Sequence, residues 1–262
     1  MIRVILAELR KLKRRTLSLS TLASVTALTG LFTWLVYFRI NEPENTRRGE
    51  HISAADLSGQ VGLVYGFKLV AFLLGITALC VFASQTAQEY TFGTLRNLLV
   101  RQPSRMKILL GKLISMKIFA LVMVSLSAAI SIAVSYAMSG TAKVDTTDWS
   151  TSSAYQLLGR TFVNVMISTV GYGIFGMILG LLFRSPISSI AIGVLWFLII
   201  DNLFANFLTS SAKWLPGQNL FNVSEGGTPI MSYQHSLIVS LFYLVGGLGI
   251  VAILFKRRDV AN

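Results

Sequence analysis

With 262 residues, 53% of them hydrophobic and only 13% charged, and a mean hydropathy of +0.66, the chain has too few charges to clothe a soluble globule, in which about a quarter of residues are charged. The net charge of +12 does not indicate nucleic acid, because Lys and Arg alternate with apolar blocks instead of forming one basic face. Cys80, the single cysteine, lies inside an apolar run, which excludes an intrachain disulfide and a cysteine metal cluster.

The chain opens with Ile2, Ile5, Leu6, Leu9 and Leu12 at helical spacing, while Arg3, Glu8, Arg10, Lys11, Lys13 and Arg14 fill much of the remaining circumference. Such a helix lies in the headgroup layer, either as a lipid-binding topology signal or as a partner-docking element. Six apolar stretches then reach the roughly 20 residues that a helix needs to cross a bilayer. They are 19–38, 61–84, 113–138, 161–183, 187–208 and 236–255. None shows the alternation of a barrel strand, so the fold expected is an all-α membrane bundle in one domain covering residues 1–262. The first run is too long for a signal-peptide core and no small-residue cleavage site follows it, so it is expected to stay as an anchor.

Fifteen Lys and Arg residues fall on the side that holds the two ends and the loops after spans two and four, against six on the other side. By the positive-inside rule both termini are cytoplasmic. Between spans two and three, Leu95, Leu98 and Leu99 form one apolar face of a short helix flanked by Arg96 and Arg101; Pro103 stops it and Ser104 can cap the next helix. This helix suits a groove on another protein, or is an amphipathic turn at the membrane surface. Between spans five and six, residues 209–235 mix Trp214, Leu220, Phe221 and Tyr233 with Pro216, Gly217, Gly226, Gly227 and Pro229, a pattern for short interfacial or re-entrant helices.

Lys117, four residues into span three, can snorkel. Lys68 and Asp201 both lie roughly 10 Å below the outer surface at 1.5 Å per residue, and the matched depths predict an ion pair, with separate interfacial positions as the alternative. The glycine pairs Gly62/Gly66 and Gly176/Gly180 have the spacing for close helix approach, more often within one bundle than across a dimer. Trp34, Tyr37 and Trp214 suit an aromatic belt, Trp149 an outer loop and Trp196 packing within span five. Enzymatic constellations are nearly lacking. His51 and His235 both fall on the outer side, and Gly111-Lys112 is followed by Leu113 where a phosphate-binding loop requires Ser or Thr.

The run Glu89-Tyr90-Thr91-Phe92-Gly93-Thr94-Leu95-Arg96-Asn97-Leu98-Leu99, with Pro103-Ser104-Arg105 and Gly111-Lys112 after it, resembles the first cytoplasmic loop of ABC transporter permeases of the type-2 export class. Ala7-Glu8-Leu9-Arg10-Lys11-Leu12-Lys13-Arg14 is similar to the amino-terminal signature of the small bacterial members for bacitracin resistance and lantibiotic immunity. The resemblance implies an interface helix over residues 1–16, with Glu8, Lys11, Lys13 and Arg14. It also implies a coupling helix over residues 91–101 that docks a separate ATPase through Glu89, Gly93, Thr94, Leu95, Arg96, Leu98, Leu99 and Arg101.

By the same resemblance, Leu215-Pro216 marks outer half-helices, and spans two and five border a translocation path near Lys68, Asp201, Asn202 and Asn206. The implied assembly is an exporter of an amphiphile (a peptide antibiotic, drug or lipid-like molecule) in the bacterial cytoplasmic membrane. It has two copies of a soluble ATPase, which bind ATP and Mg, and a second permease protomer, identical or homologous. This chain itself would hold no catalytic residue, cofactor or metal. A membrane scaffold or sensor that recruits a cytoplasmic partner, and an ion-coupled carrier, are the other readings the residues allow.

Overall fold

A computed structural model describes residues 2–13, 15–40, 53–101, 104–207 and 212–257. Among the described residues every regular element is helical: α1 Ile2–Leu12, α2 Arg15–Arg39, α3 Ala54–Ser58, α4 Gly62–Leu69, α5 Ala71–Thr91, α6 Thr94–Arg101, α7 Arg105–Ser139, α8 Ser152–Phe183, α9 Pro186–Leu195, α10 Asp201–Phe207, α11 Pro216–Glu225 and α12 Tyr233–Arg257, with a π-helical turn, Trp196–Ile200, joining α9 to α10. Six stretches are long and apolar enough to cross a membrane: Thr16–Arg39, Gly62–Thr91, Arg105–Ser139, Ser152–Phe183, Pro186–Phe207 and Tyr233–Phe255. Each contains nearly all of one expected span, and several run further, because their ends project beyond the apolar zone.

Local chemistry sets the breaks. Ser53 and Asp56 form a reciprocal capping box at the start of α3. Thr151 caps α8, whose end is closed by Arg184 in the left-handed conformation (φ 54°), and Ser185 with Pro186 starts α9 at once. Span two is broken at Val70 into α4 and α5.

Spans two and four make the centre of the bundle, with 61% and 67% of their most apolar stretch buried, against 17–22% for spans one, five and six. The glycine pairs act inside the chain. A Cβ on Gly176 would sit 2.2 Å from the Leu79 carbonyl oxygen, and one on Gly180 2.8 Å from that of Ala83, so α5 and α8 touch backbone to backbone. Gly62 meets the Leu57 carbonyl, and Gly66 meets Thr33 and Ser131. Between α2 and α7 the buried hydroxyls pair, Thr29 with Ser127 at 2.8 Å and Thr33 with Ser131 at 3.3 Å.

Two aromatic placements differ from expectation, and Trp149, which keeps its expected place in the connection between spans three and four, gains a packing role. Trp149 is fully buried and its Nε1 donates to the Leu57 carbonyl at 2.9 Å, plugging a cluster of Tyr37, Leu57, Leu63 and Ala154. Tyr37 belongs to that cluster and not to a surface belt. Trp196 is 40% exposed and its indole N–H donates to Asp201, while its neighbour in the π turn, Phe197, enters the core.

The segment between spans five and six contains a half-helix, α11, packed into the bundle against α8 and α12. Several of its polar groups are matched: Tyr172 OH donates to the Gly217 carbonyl at 3.0 Å, Ser168 to that of Leu220 at 2.8 Å, and Asn222 Nδ2 to Ser236 Oγ at 2.7 Å, while Asn219 Oδ1 and Asn222 Oδ1 are buried without a protein partner.

Candidate functional site

At the end of the bundle where α5 ends and α7 begins, four charged side chains meet. Lys11 Nζ lies 2.6 Å from Glu8 Oε1 and 2.8 Å from Glu89 Oε1; Lys112 Nζ lies 3.0 Å from Glu8 Oε2 and 2.8 Å from Glu89 Oε1. The third Lys112 donor is directed at the Gln85 carbonyl, 3.3 Å away. Two carboxylates and two ammonium groups cancel, which is the condition for burying them: Glu8 and Lys112 are 4% exposed and Glu89 6%. Burial alone would push the Glu8 carboxyl up, but Lys112 and Lys11 outweigh it and hold it below its ordinary range. For Lys11, burial works toward a lower value, and Glu89 with Glu8 overcomes it and raises the ammonium above its ordinary one.

This cluster explains how α1 sits. The expected apolar face is rotated: Glu8, assigned to the polar circumference, points inward, and Leu6 is 51% exposed. Leu12 enters the main core. Close approach comes from Gly111, where a Cβ would stand 2.6 Å from Val4 Cγ1, and Ser115 Oγ donates to the Ile5 carbonyl at 3.1 Å. Gly111-Lys112 thus serves as a seat for α1. Lys112, read beforehand only as part of the Gly111-Lys112 motif and not as a site residue, is the hub, and its signal was its position immediately before the apolar stretch of span three.

Beyond Glu89 the chain turns sharply. Gly93 adopts φ 64°, a conformation that suits glycine, and this reverses the path between α5 and α6. Leu95 is 2% exposed and anchors α6 in the core, whereas Leu98 is half-buried. Among the described side chains of this segment the exposed apolar groups are Phe92 (73%) and Val100 (81%), with Gly93 and Thr94 exposed between them. The side chains of Arg96, Leu99 and Arg101 lie outside the described residues, as does Arg14; Lys13 is exposed. Arg184 stacks over Tyr90 at 5.3 Å, and Arg105 donates to the Phe255 carbonyl, so the turn after span four and the end of α12 belong to the same platform.

The residues assigned to a translocation path do not form one group. Asp201 and Asn202 line a cavity with Phe72, Phe197, Gly217, Gln218 and Phe221, while Asn206 is exposed and Lys68 lies elsewhere. The expected Lys68–Asp201 pair is not formed. Lys68 Nζ lies 3.1 Å from the Glu225 carbonyl and 3.7 Å from its carboxylate, at the end of α11, and the backbone N–H groups of Gln218 and Gly217 at the start of α11 donate to Asp201. A helix favours an anion at its N-terminus and a cation at its C-terminus, so both charges answer to α11 and not to each other.

Among the described residues, no group of three or more His, Cys, Asp or Glu side chains could hold a metal ion. His235 bonds the Lys213 carbonyl at 2.9 Å, and His51 lies outside the described residues.

The fold is that of a multi-pass, all-helical membrane protein with an amphipathic helix clamped to one end. The chain belongs to a family described as protein of unknown function, DUF2705, which matches residues 50–261 and so includes Glu89 and Lys112 but not α1. It is similar to the uncharacterized protein YhcI of Bacillus subtilis (strain 168), 24% identical over 213 residues that cover 72% of this chain. The chain spans 66% of that relative's length.

Proposed function

We propose that this chain is the membrane-spanning subunit of an ATP-binding-cassette exporter, with the α1 end in the cytoplasm and docked on a separate ATPase. The observation that carries this reading is the ionic cluster of buried Glu8, Glu89 and Lys112 with Lys11, whose side chain stays 31% exposed at its edge. It ties α1 to the base of span two and the base of span three, directly beside α6 and its exposed Phe92 and Val100. A topology signal needs basic residues, but it does not need a neutral buried cluster or an exposed apolar tip. A lever that receives force needs both.

In this reading two ATPase copies bind ATP and Mg and close on each other, and two permease protomers respond. Displacement of α6 reaches α5 through the Gly93 turn and reaches α7 through Glu89–Lys112. The backbone contact of α5 with α8 at Gly176 and Gly180 then moves the two central spans together. The substrate is an amphiphile, reached from the bilayer. The test is co-purification of the tagged chain with an ATPase from its native membrane. Phe92→Asp with Val100→Asp is expected to remove the ATPase while insertion and yield stay normal; undiminished recovery would overturn the docking role. Stimulation of the ATPase by cargo separates an exporter from a scaffold.

A further inference from the structure

Asp201 is 1% exposed within an apolar span, and among the described residues no Lys, Arg or His lies within ion-pair distance of it. The amides of Gln218 and Gly217 and the indole N–H of Trp196 account for part of its hydrogen-bonding capacity, and Gly217 has no side chain because a Cβ there would lie 2.3 Å from Oδ2. The other oxygen, Oδ1, is buried with no hydrogen-bond partner. A carboxylate oxygen with no protein donor in apolar surroundings is costly, so the site favours an occupant that brings a donor to Oδ1.

What would complete it is set by the walls. Asp201 lines a cavity of about 210 Å³ together with Phe72, Phe197 and Phe221, and its remaining polar lining is the amides Asn202 and Gln218, joined by a 3.1 Å hydrogen bond from Gln218 Nε2 to Asn202 Oδ1. A buried acid among aromatic rings favours a cation, through ion pairing and through the quadrupoles of the rings. An anion would meet Asp201 at close range, an apolar chain would bring Oδ1 no donor, and a neutral hydroxyl would donate to it without offsetting its charge. The space is smaller than the roughly 300–1,000 Å³ that holds a whole drug-sized ligand, so it takes one head group. Phe221 and Asn202, both exposed at the rim, leave the tail of the occupant free to extend toward the bilayer.

We propose that this cavity binds the cationic head, an ammonium or guanidinium group, of an amphiphile whose tail remains among lipids. The inference deepens the exporter reading and rests on it for the role of the occupant as cargo.

The probe is decylammonium carrying a photoreactive diazirine beside its head group, compared with the matching decanol and decyl sulfate probes on the full chain in phosphatidylcholine nanodiscs, with labelled peptides mapped by mass spectrometry. In the wild-type protein the ammonium probe is expected to label the peptides holding Phe72 and Gln218–Phe221 roughly tenfold more than decanol does, with decyl sulfate no better than decanol. Asp201→Asn lowers the ammonium signal to that of decanol. Phe72→Leu, which leaves the contact between Asp201 and α11 untouched, lowers it by roughly threefold.

Equal labelling by ammonium and decanol probes, or full labelling in both variants, would overturn the proposal and leave Asp201 as a cap for α11 only. If Asp201→Asn fails to insert, the wild-type probe comparison and Phe72→Leu decide the matter. The assay contains no ATPase, so a failure here leaves the exporter reading standing, and labelling of a chain that recovers no ATPase partner would preserve the site and sink the exporter.

Discussion

Lys112→Met is the substitution that tests the ionic clamp most severely. It removes the ammonium that holds Glu8 Oε2 at 3.0 Å and Glu89 Oε1 at 2.8 Å, and it leaves two carboxylates with Lys11 as their remaining partner in the cluster. Because Lys112 and Glu8 are each 4% exposed, water offers little compensation, and stranding a buried charge in this way costs about 3–5 kcal/mol. At about 1.4 kcal/mol per factor of ten, hydrogen exchange of the α1 amides in nanodiscs should accelerate by roughly 100- to 4,000-fold, while the α5–α8 core stays protected. Glu89→Leu combined with Lys112→Met restores neutrality and leaves the Glu8–Lys11 pair at 2.6 Å, so it should recover much of the lost protection. Protection of α1 within about threefold of wild type in Lys112→Met, or losses that simply add in the double variant, would refute the reasoning.

Four further outcomes follow from the same structure. Docking of α1 should weaken at both extremes of pH. The depressed Glu8 value contributes stability that is present above its ordinary 4.5 and is lost as pH falls below it; the raised Lys11 value contributes stability that is present below 10.5 and is lost as pH rises above it, so limited proteolysis of α1 against pH should show a plateau between those limits. Gly111→Ala sets a methyl group 2.6 Å from Val4 Cγ1 and should loosen α1 by about 1–3 kcal/mol, with Val4→Ala restoring most of it in the same exchange assay. Gly176→Ala meets the Leu79 backbone at 2.2 Å, which no rotamer relieves, so the melting temperature read by size-exclusion chromatography should fall sharply. Lys68→Gln and Asp201→Asn should be additive in that assay, whereas Lys68→Gln and Glu225→Gln should not; the latter coupling is small, about 0.2–1 kcal/mol, because both side chains are about a quarter exposed.

The six spans were legible because their signal is local: about twenty apolar residues in a row leave one structure a bilayer accepts. The α11 half-helix was legible for a related reason, since Leu215-Pro216 and Gly226 punctuate it at both ends. Placement of charge was not. Glu8 reads as polar surface on a helical wheel, and only the arrival of Lys112 from 104 positions away turns it inward. Depth arithmetic set Lys68 and Asp201 at one level, but it had no means of showing that a ten-residue helix lies between them and takes both charges, one at each end. At the coupling segment the periodicity of Leu95 and Leu98 marked the side that packs. The side left exposed carries Phe92 and Val100, and a count of apolar positions alone does not separate an anchoring face from a docking face.

The central claim is that the clamp and the α6 tip receive force from an ATPase. Its most direct test is ATP hydrolysis by material purified through the tagged chain from gently solubilised native membranes, before and after Phe92→Asp with Val100→Asp. The account predicts a soluble ATPase recovered with the wild-type chain, activity that depends on the chain, and loss of both in the variant with the membrane protein intact. Recovery of the chain with no ATPase, or with ATPase activity indifferent to the variant, would contradict it.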